Sequence, residues 1–416
     1  MAETRVLTFG CRLNAFESEI IRDHTKAMNV ENTIVVNTCA VTAEAERQAK
    51  QAIRRARRNN PGTKIVVTGC AAQINPDRYE SMEEVDFVLG NEEKLKGGTW
   101  SEIKNFESYT QVSDIMSVSE TSAQQINGLE NKARAFVQVQ QGCDHRCTFC
   151  IIPFGRGQSR STPVGEVVRQ VRQLVKTGYK EIIFTGVDIT DYGKNLPGNP
   201  TLGNLCRRVL MQVPELPRLR ISSVDPSEID TDLLKVIAQE HRLLPHFHFS
   251  LQAGDNIILK RMKRRHCRND AIEICNHIRN LRPNATFGAD LIAGFPTETH
   301  EMFSNTLKII EECDLTHLHV FPYSERSGTP AAKMPPIPKK ERRRRATLLR
   351  EAGNMRMHNL LKDSIGKAAS VLVEKNGIGH CERYLPFQLI TPVQDGTLIR
   401  CLIKEVNGDV LQAEEI

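Results

Sequence analysis

The stretch QQGCDHRCTFCIIP, residues 140–153, sets Cys143, Cys147 and Cys150 inside eight consecutive positions. Three thiolates are one ligand short of a closed tetrahedral zinc site, and no neighbouring Cys-x-x-Cys supplies a fourth. A four-iron cluster on three thiolates would instead leave one iron open to a further ligand. The loop directly follows the apolar run ARAFVQVQ (133–140). Beyond it, KEIIFTGV (180–187), RLRISSV (218–224), HFHFSL (246–251), ATFGADLIAG (285–294) and HLHVFPYS (317–324) read as five more short strands, rich in β-branched and aromatic residues. Helical segments separate them, such as TPVGEVVRQVRQLVKTGY (162–179), where Thr162 caps and Pro163 fits the first turn. Six βα units over residues 132–361 suit an incomplete parallel (βα)6 barrel, smaller than the eight-unit form, with functional residues at the carboxyl ends of its strands.

Upstream, residues 1–110 alternate strand and helix. RVLTF, NTIVVN, KIVVTG and VDFVLG read as buried strands. EAERQAKQAIRRARRNN (44–60) is a helix with glutamates in its first turn, arginines in its last and Asn-Pro-Gly as its stop. This is an open parallel α/β domain. Cys11 follows RVLTFG, Cys39 follows IVVNT and Cys70 follows IVVTG, each at the carboxyl end of a predicted strand, where such sheets bind ligands. Taken singly, each also fits a small buried hydrophobe. Their shared placement points to a second three-thiolate site. Cys206, Cys267, Cys275, Cys313, Cys381 and Cys401 share no such geometry and read as structural. Residues 111–131 end a polar, weakly patterned stretch that starts near Ser101 and reads as a linker. Residues 362–416 alternate with period two around Asn-Gly and Asp-Gly turns and read as a small all-β barrel. Such barrels often hold nucleic acid; the alternative is a packing module.

At 416 residues the chain is long enough for two or three domains, and 40% hydrophobic with 25% charged residues is ordinary for a globular protein. No apolar run approaches the roughly 18 residues that span a bilayer. The start, MAETRVLTFG, lacks a signal-peptide profile, so a cytoplasmic address with reduced thiols is expected. There, clustered cysteines point to metal or catalysis. The net charge of +6 hides the basic runs RRARR (54–58), KRMKRRHCR (260–268) and KKERRRR (339–345). One run alone reads as a solvated helix face; three favour a polyanionic partner. At 5% aromatic residues, a base-stacking sheet is an unsuitable main reader of such a partner.

The spacing C-x-x-x-C-x-x-C, with Phe149 before its last cysteine, resembles the signature of the radical S-adenosylmethionine superfamily, in which the open iron binds that cofactor. FGCRLNAFESE, VNTCAVT, VTGCAAQ, QQGCDHRCTFCIIP, FTGVDITDYG, SLQAGDNIILKRM, GADLIAGFPTET and FPYSERSGTPAA together resemble the radical methylthiotransferases across essentially the whole chain. The resemblance implies an α/β protein in which an N-terminal methylthiotransferase domain precedes a radical barrel and a TRAM tail that binds RNA. It implies two [4Fe-4S] clusters, one on Cys143, Cys147 and Cys150 and an auxiliary one on Cys11, Cys39 and Cys70, with S-adenosylmethionine as cofactor. Its implied partners are the anticodon loop of an ANN-decoding tRNA, an electron donor such as flavodoxin or ferredoxin, and a sulfur donor. Arg12-Leu13-Asn14 and Glu17-Ser18-Glu19 look most like the branch that converts N6-threonylcarbamoyladenosine 37 to its 2-methylthio form. Other branches typically carry Gln-Met-Asn or Pro-Lys-Asn there, then Asp; they act on N6-isopentenyladenosine 37 or on a ribosomal-protein aspartate. Thr185, Gly186 and Asp188 end the second barrel strand, and Ser222, Gln252 and Asp290 the third to fifth. Each is a candidate cofactor contact, with a strand-end cap or turn as its alternative. A non-catalytic RNA-binding protein with two structural metal sites is the rival of another class, and it would need four-ligand closure.

Overall fold

The computed structural model describes residues 3–119 and 133–416. Its first unit is a sheet of five parallel strands in sequence order: β1 Arg5–Thr8, β2 Thr33–Thr38, β3 Lys64–Gly69, β4 Phe87–Leu89 and β5 Tyr109–Gln111. Strand β2 is buried at every position. Its Val35 packs with Ile21 and Trp100 on one face, while Ile34 and Val36 pack with Ile53 and Ala56 on the other. Helices on both faces explain why TIVVNT is continuously apolar rather than alternating.

The second unit is an open arc of six parallel strands. These are β6 Arg134–Gln138, β9 Glu181–Thr185, β10 Arg218–Ile221, β11 His246–Gln252, β12 Thr286–Ala293 and β13 Leu315–Pro322. They form two three-stranded sheets stitched by the parallel bridges Leu219–Leu243 and Val224–Phe249. The helix Val164–Lys176 lays Val167, Val168, Val171 and Leu174 on Ala135, Val137, Ile182 and Phe184. Two short antiparallel strands, β7 Gln140–Gln141 and β8 Arg160–Ser161, pin both ends of the cysteine loop.

The helix Lys339–Lys362 packs along β13 and leads into a closed barrel. Its strands are β14 Ala368–Val373, β15 Ile378–Cys381, β16 Pro386–Leu389, β17 Leu398–Asn407 and β18 Val410–Glu415, around Val371, Val373, Phe387, Cys401 and Leu411. One side of this tail docks on the amino-terminal ends of the arc. The buried Glu181 holds Arg220 at 3.0 Å and Arg218 at 3.3 Å. Those guanidiniums reach on to the backbone carbonyls of Ser370, His380, Cys381 and Glu382. Arg134 pairs with Glu374 at 2.6 Å. The tail is therefore a packing module on this side, whatever its other faces bind.

Several sequence expectations need correction. The stretch read as unstructured from Ser101 contains β5 and a 3-10 turn, Ile115–Ser117; residues 120–131 lie outside the described residues. HCERYLPFQLI splits into β15 and β16 around Tyr384, whose φ is +64°. Asp290 does not end its strand but sits midway along β12. The basic runs are partly paired within the chain. Arg57 pairs with Asp86, Arg264 and Arg265 with Asp225, Arg268 with Glu312, and the buried Arg345 with Glu298.

Candidate active site

The registers Thr8–Asn37 and Thr38–Gly69 bring the carboxyl ends of β1, β2 and β3 level, with Cys11, Cys39 and Cys70 just beyond them. Their loops are tied together by side-chain amides. Asn14 Nδ2 donates to the carbonyls of Phe9 (2.7 Å) and Thr38 (3.0 Å), and Asn37 Nδ2 donates to Asn14 O (3.0 Å). Two glycines make the approach possible. A Cβ on Gly10 (φ +95°) would lie 2.6 Å from Cys39 Cβ and Sγ, and one on Gly69 (φ +97°) 2.3 Å from Thr38 O. Burial pushes the Cys39 thiol up to about 12, with Cys70 and Cys11 adding to the shift.

Beneath this triad lies a sealed ionic cluster. Arg156 comes from the far end of the other cysteine loop, and its Nε lies 3.0 Å from Cys70 Sγ. The guanidinium also binds Glu17 and Asn14, and Lys94 Nζ reaches Glu17 at 2.6 Å. Burial alone would raise the Glu17 carboxyl, yet Arg156 and Lys94 together hold it below its ordinary range. Two cations against one carboxylate leave a positive excess beside Cys70.

The loop of Cys143, Cys147 and Cys150 is held by the barrel beneath it. Thr148 N donates to Met262 O (3.0 Å) and Cys150 N to Cys147 O (3.0 Å). Phe149 packs against a satellite core containing Ile292, Phe295 and Tyr323. Arg264 approaches Cys147 Sγ at 3.7 Å. His145 Nε2 lies 3.0 Å from Asp188 Oδ2. Burial, with Asp188 beside it, drives the Cys143 thiol well up, and burial takes Cys150 to about 11.

The N-terminal triad opens, through Cys11 and Cys39, on a space that the barrel strands also line. A cavity of about 440 Å³ is lined from the N-terminal domain by Gly10, Cys11, Arg12 and Cys39, and from the barrel by Thr185, Gly186, Ser222, His248, Asp290 and His319. That size suits a small organic ligand. Neither thiol triad is among the three-ligand groups that close to within 4.8 Å in the described residues. Thiolates on one tetrahedral zinc would sit roughly 3.8 Å apart, from Zn–S bonds of about 2.3 Å. The wider triads, each short of a fourth sulfur, fit a multi-iron cluster with an open position better than a closed zinc site.

Residues 137–310 match the radical S-adenosylmethionine superfamily, and residues 3–90 match a family described as uncharacterized protein family UPF0004. A threonylcarbamoyladenosine tRNA methylthiotransferase of Rickettsia prowazekii (strain Madrid E) is 53% identical over 92% of this chain and 90% of its own. The chain belongs to the radical S-adenosylmethionine methylthiotransferases. A tRNA-2-methylthio-N6-dimethylallyladenosine synthase of Shouchella clausii (strain KSM-K16), from the same broad family, is 33% identical over 89% of this chain and 74% of its own. The solved structure of TsrM, a radical S-adenosylmethionine methyltransferase from Kitasatospora setae, aligns at TM-score 0.57 and 14% identity over 80% of this chain and 77% of its own, a likeness of fold alone. As a radical methylthiotransferase, the protein uses two [4Fe-4S] clusters and S-adenosylmethionine.

Among the candidates picked from strand ends, Thr185, Gly186, Ser222 and Asp290 line the shared cavity with Cys11 and Cys39. Asp188 turns instead to His145 beside Cys143, and Gln252 (φ +71°) and Phe149 lie off the cavity wall. The sequence reading missed Arg156, Lys94 and Asn91 around Cys70, and His248 and His319 on the wall. The histidines had a signal: HFHF and HLHV alternate with period two, so both polar faces turn the same way on strands flanking β12.

Proposed function

We propose that the cavity between the N-terminal thiol triad and the barrel strands receives the adenine of nucleotide 37 in a tRNA anticodon loop, so that carbon 2 can be methylthiolated. The enzyme converts N6-threonylcarbamoyladenosine to 2-methylthio-N6-threonylcarbamoyladenosine. One observation carries the reading: Cys11 and Cys39 border the same space as Thr185, Gly186, Ser222 and Asp290. Carbon 2 of adenine carries neither an acidic proton nor a leaving group, and the bound clusters and S-adenosylmethionine supply the one-electron chemistry and the sulfur it requires.

In this reading Cys143, Cys147 and Cys150 hold the cluster that takes S-adenosylmethionine, and Cys11, Cys39 and Cys70 hold the auxiliary one. Thr185, Gly186, Ser222 and Asp290 form the cofactor and base walls between them. Arg156 holds the Cys70 sulfur through its Nε and joins the two loops mechanically. An anticodon-loop base can enter without a duplex being melted. The tRNA is of the ANN-decoding group, and the reaction draws on a cytoplasmic electron donor of the flavodoxin or ferredoxin kind and on a sulfur donor. No helix among the described residues is long and apolar enough to cross a membrane.

Nucleoside mass spectrometry of tRNA from cells with and without this gene tests the reading. The 2-methylthio form of threonylcarbamoyladenosine should vanish on deletion, while 2-methylthio isopentenyladenosine persists. Loss of the isopentenyl product instead, or of a modified ribosomal protein, would overturn it.

A further inference from the structure

The shared cavity does not end at its histidines. Arg12, His248 and His319 also line a second space of about 270 Å³, which continues toward the tail and is walled by Arg220, His317 and Tyr384. Three parts of the chain meet there: the N-terminal domain through Arg12, the barrel strands, and the tail through Tyr384. Most polar groups in this wall are already engaged. Arg220 Nε donates to Glu181 at 3.0 Å, and His248 and His319 share Asp290 Oδ1 at 3.1 and 3.2 Å. His317 lies 2.9 Å from Thr316 Oγ1 and 3.2 Å from Tyr384 O.

Arg12 has the Tyr384 phenol as a partner but no carboxylate among the described residues. Its guanidinium lies 6.0 Å from the centroid of the Phe136 ring and beside Tyr384, with Arg134 and Arg220 as its charged neighbours. Burial lowers its proton affinity, Tyr384 pulls against that, and Arg134 and Arg220 add to the lowering. A half-buried guanidinium that faces a cavity with no anion is incompletely solvated, and a carboxylate of matching geometry is what it binds best.

We propose that this second space is the subsite for the carboxylate of the substrate's N6-threonylcarbamoyl group, with Arg12 as the residue that binds it. The assignment rests on the function proposed above and deepens it. A threonine joined through its amine to a carbamoyl group keeps a free carboxylate and a hydroxyl, both suited to a wall of guanidinium, imidazole and phenol groups. An isopentenyl group offers none of these and would leave Arg12 desolvated and without an anion. A site built to hydrogen-bond a polar substituent rejects an analogue lacking it far more strongly than an apolar pocket rejects an extra methylene.

The test compares two anticodon stem-loop RNAs on the reconstituted holoenzyme. One carries N6-threonylcarbamoyladenosine, the other the same nucleoside with its carboxylate capped as a primary amide; both affinity, by fluorescence anisotropy, and kcat/KM are measured. Unmodified enzyme should prefer the carboxylate by about 10- to 100-fold, and Arg12→Gln should shrink that preference to about threefold or less. Both RNAs meet the same protein, so partial loss of fold or iron in the variant cancels in the ratio. Should Arg12→Gln prove insoluble, the preference of the unmodified enzyme decides alone. Equal use of the two RNAs by unmodified enzyme, or an undiminished preference in Arg12→Gln, overturns the subsite while leaving the proposed function standing. Failure to methylthiolate the threonylcarbamoyl RNA at all overturns that function instead.

Discussion

Arg156 joins the two halves of the site by one side chain. It leaves the barrel's cysteine loop, enters the N-terminal domain, touches Cys70 Sγ and neutralises Glu17 beside Lys94, all fully out of solvent. Removing one member of such a cluster strands the rest without compensation. Arg156→Ala should therefore lower unfolding free energy in urea by about 3–5 kcal/mol, and Arg156→Lys should restore part of it. A change below 1 kcal/mol, on the order of a surface pair, would show the cluster to be solvated. The thiols themselves are tested by counting iron. Anaerobically reconstituted protein should hold about eight irons, and Cys39→Ala or Cys143→Ala should each remove about four. Zinc in place of iron, or no loss with Cys39→Ala, refutes the pair of clusters. The six cysteines were legible because each stands at a strand end or in one short loop. Arg156 and Lys94 were not, because their partner Glu17 lies 139 and 77 residues away, and no local pattern encodes a contact that only the docked domains create.

At the scale of elements, the site depends on three loops crossing above parallel strand ends, and glycine decides how closely they cross. Gly10 has a left-handed backbone, and any Cβ there would collide with Cys39 at 2.6 Å. Gly10→Ala should cut bound iron from about eight to about four and leave the Cys143 triad loaded. Full iron content in that variant would mean the loop can retreat without losing its ligand. The strands carrying these loops were readable from sequence because both faces are covered and the runs are apolar throughout. Strand β5, Tyr-Thr-Gln, was not: it is three residues long and incompletely buried, so it has no hydrophobic signature. Asp290 was misplaced for a related reason. Strand β12 continues through Leu291, Ile292 and Ala293, and an acid in an apolar run was taken as the strand's end when it was the inward-facing partner of two histidines. The basic runs pointed to a polyanionic partner, but a sequence does not show which of their charges pair with carboxylates of the same chain.

The whole molecule is closed from below by its tail, and this changes what truncation can test. Glu181, Arg218 and Arg220 are each nearly inaccessible, and their remaining hydrogen bonds run to carbonyls of the tail. Ending the chain after Lys362 would expose these ions and the apolar helix end at Leu361, so a truncated protein should aggregate or unfold at lower temperature rather than merely bind RNA less well. A melting curve unchanged by truncation would contradict the docking. Binding must therefore be probed with the tail in place. Lys367, Lys375 and Arg400 are exposed on it. If they contact tRNA phosphates, affinity should fall linearly on a log–log plot against salt, and each substitution to Ser should reduce the slope by about 0.7–0.9. Iron content and melting temperature should stay level, because none of the three lies in an ion pair among the described residues. Slopes unchanged in the triple variant would assign RNA contact to another face and leave the tail the single task of sealing the barrel.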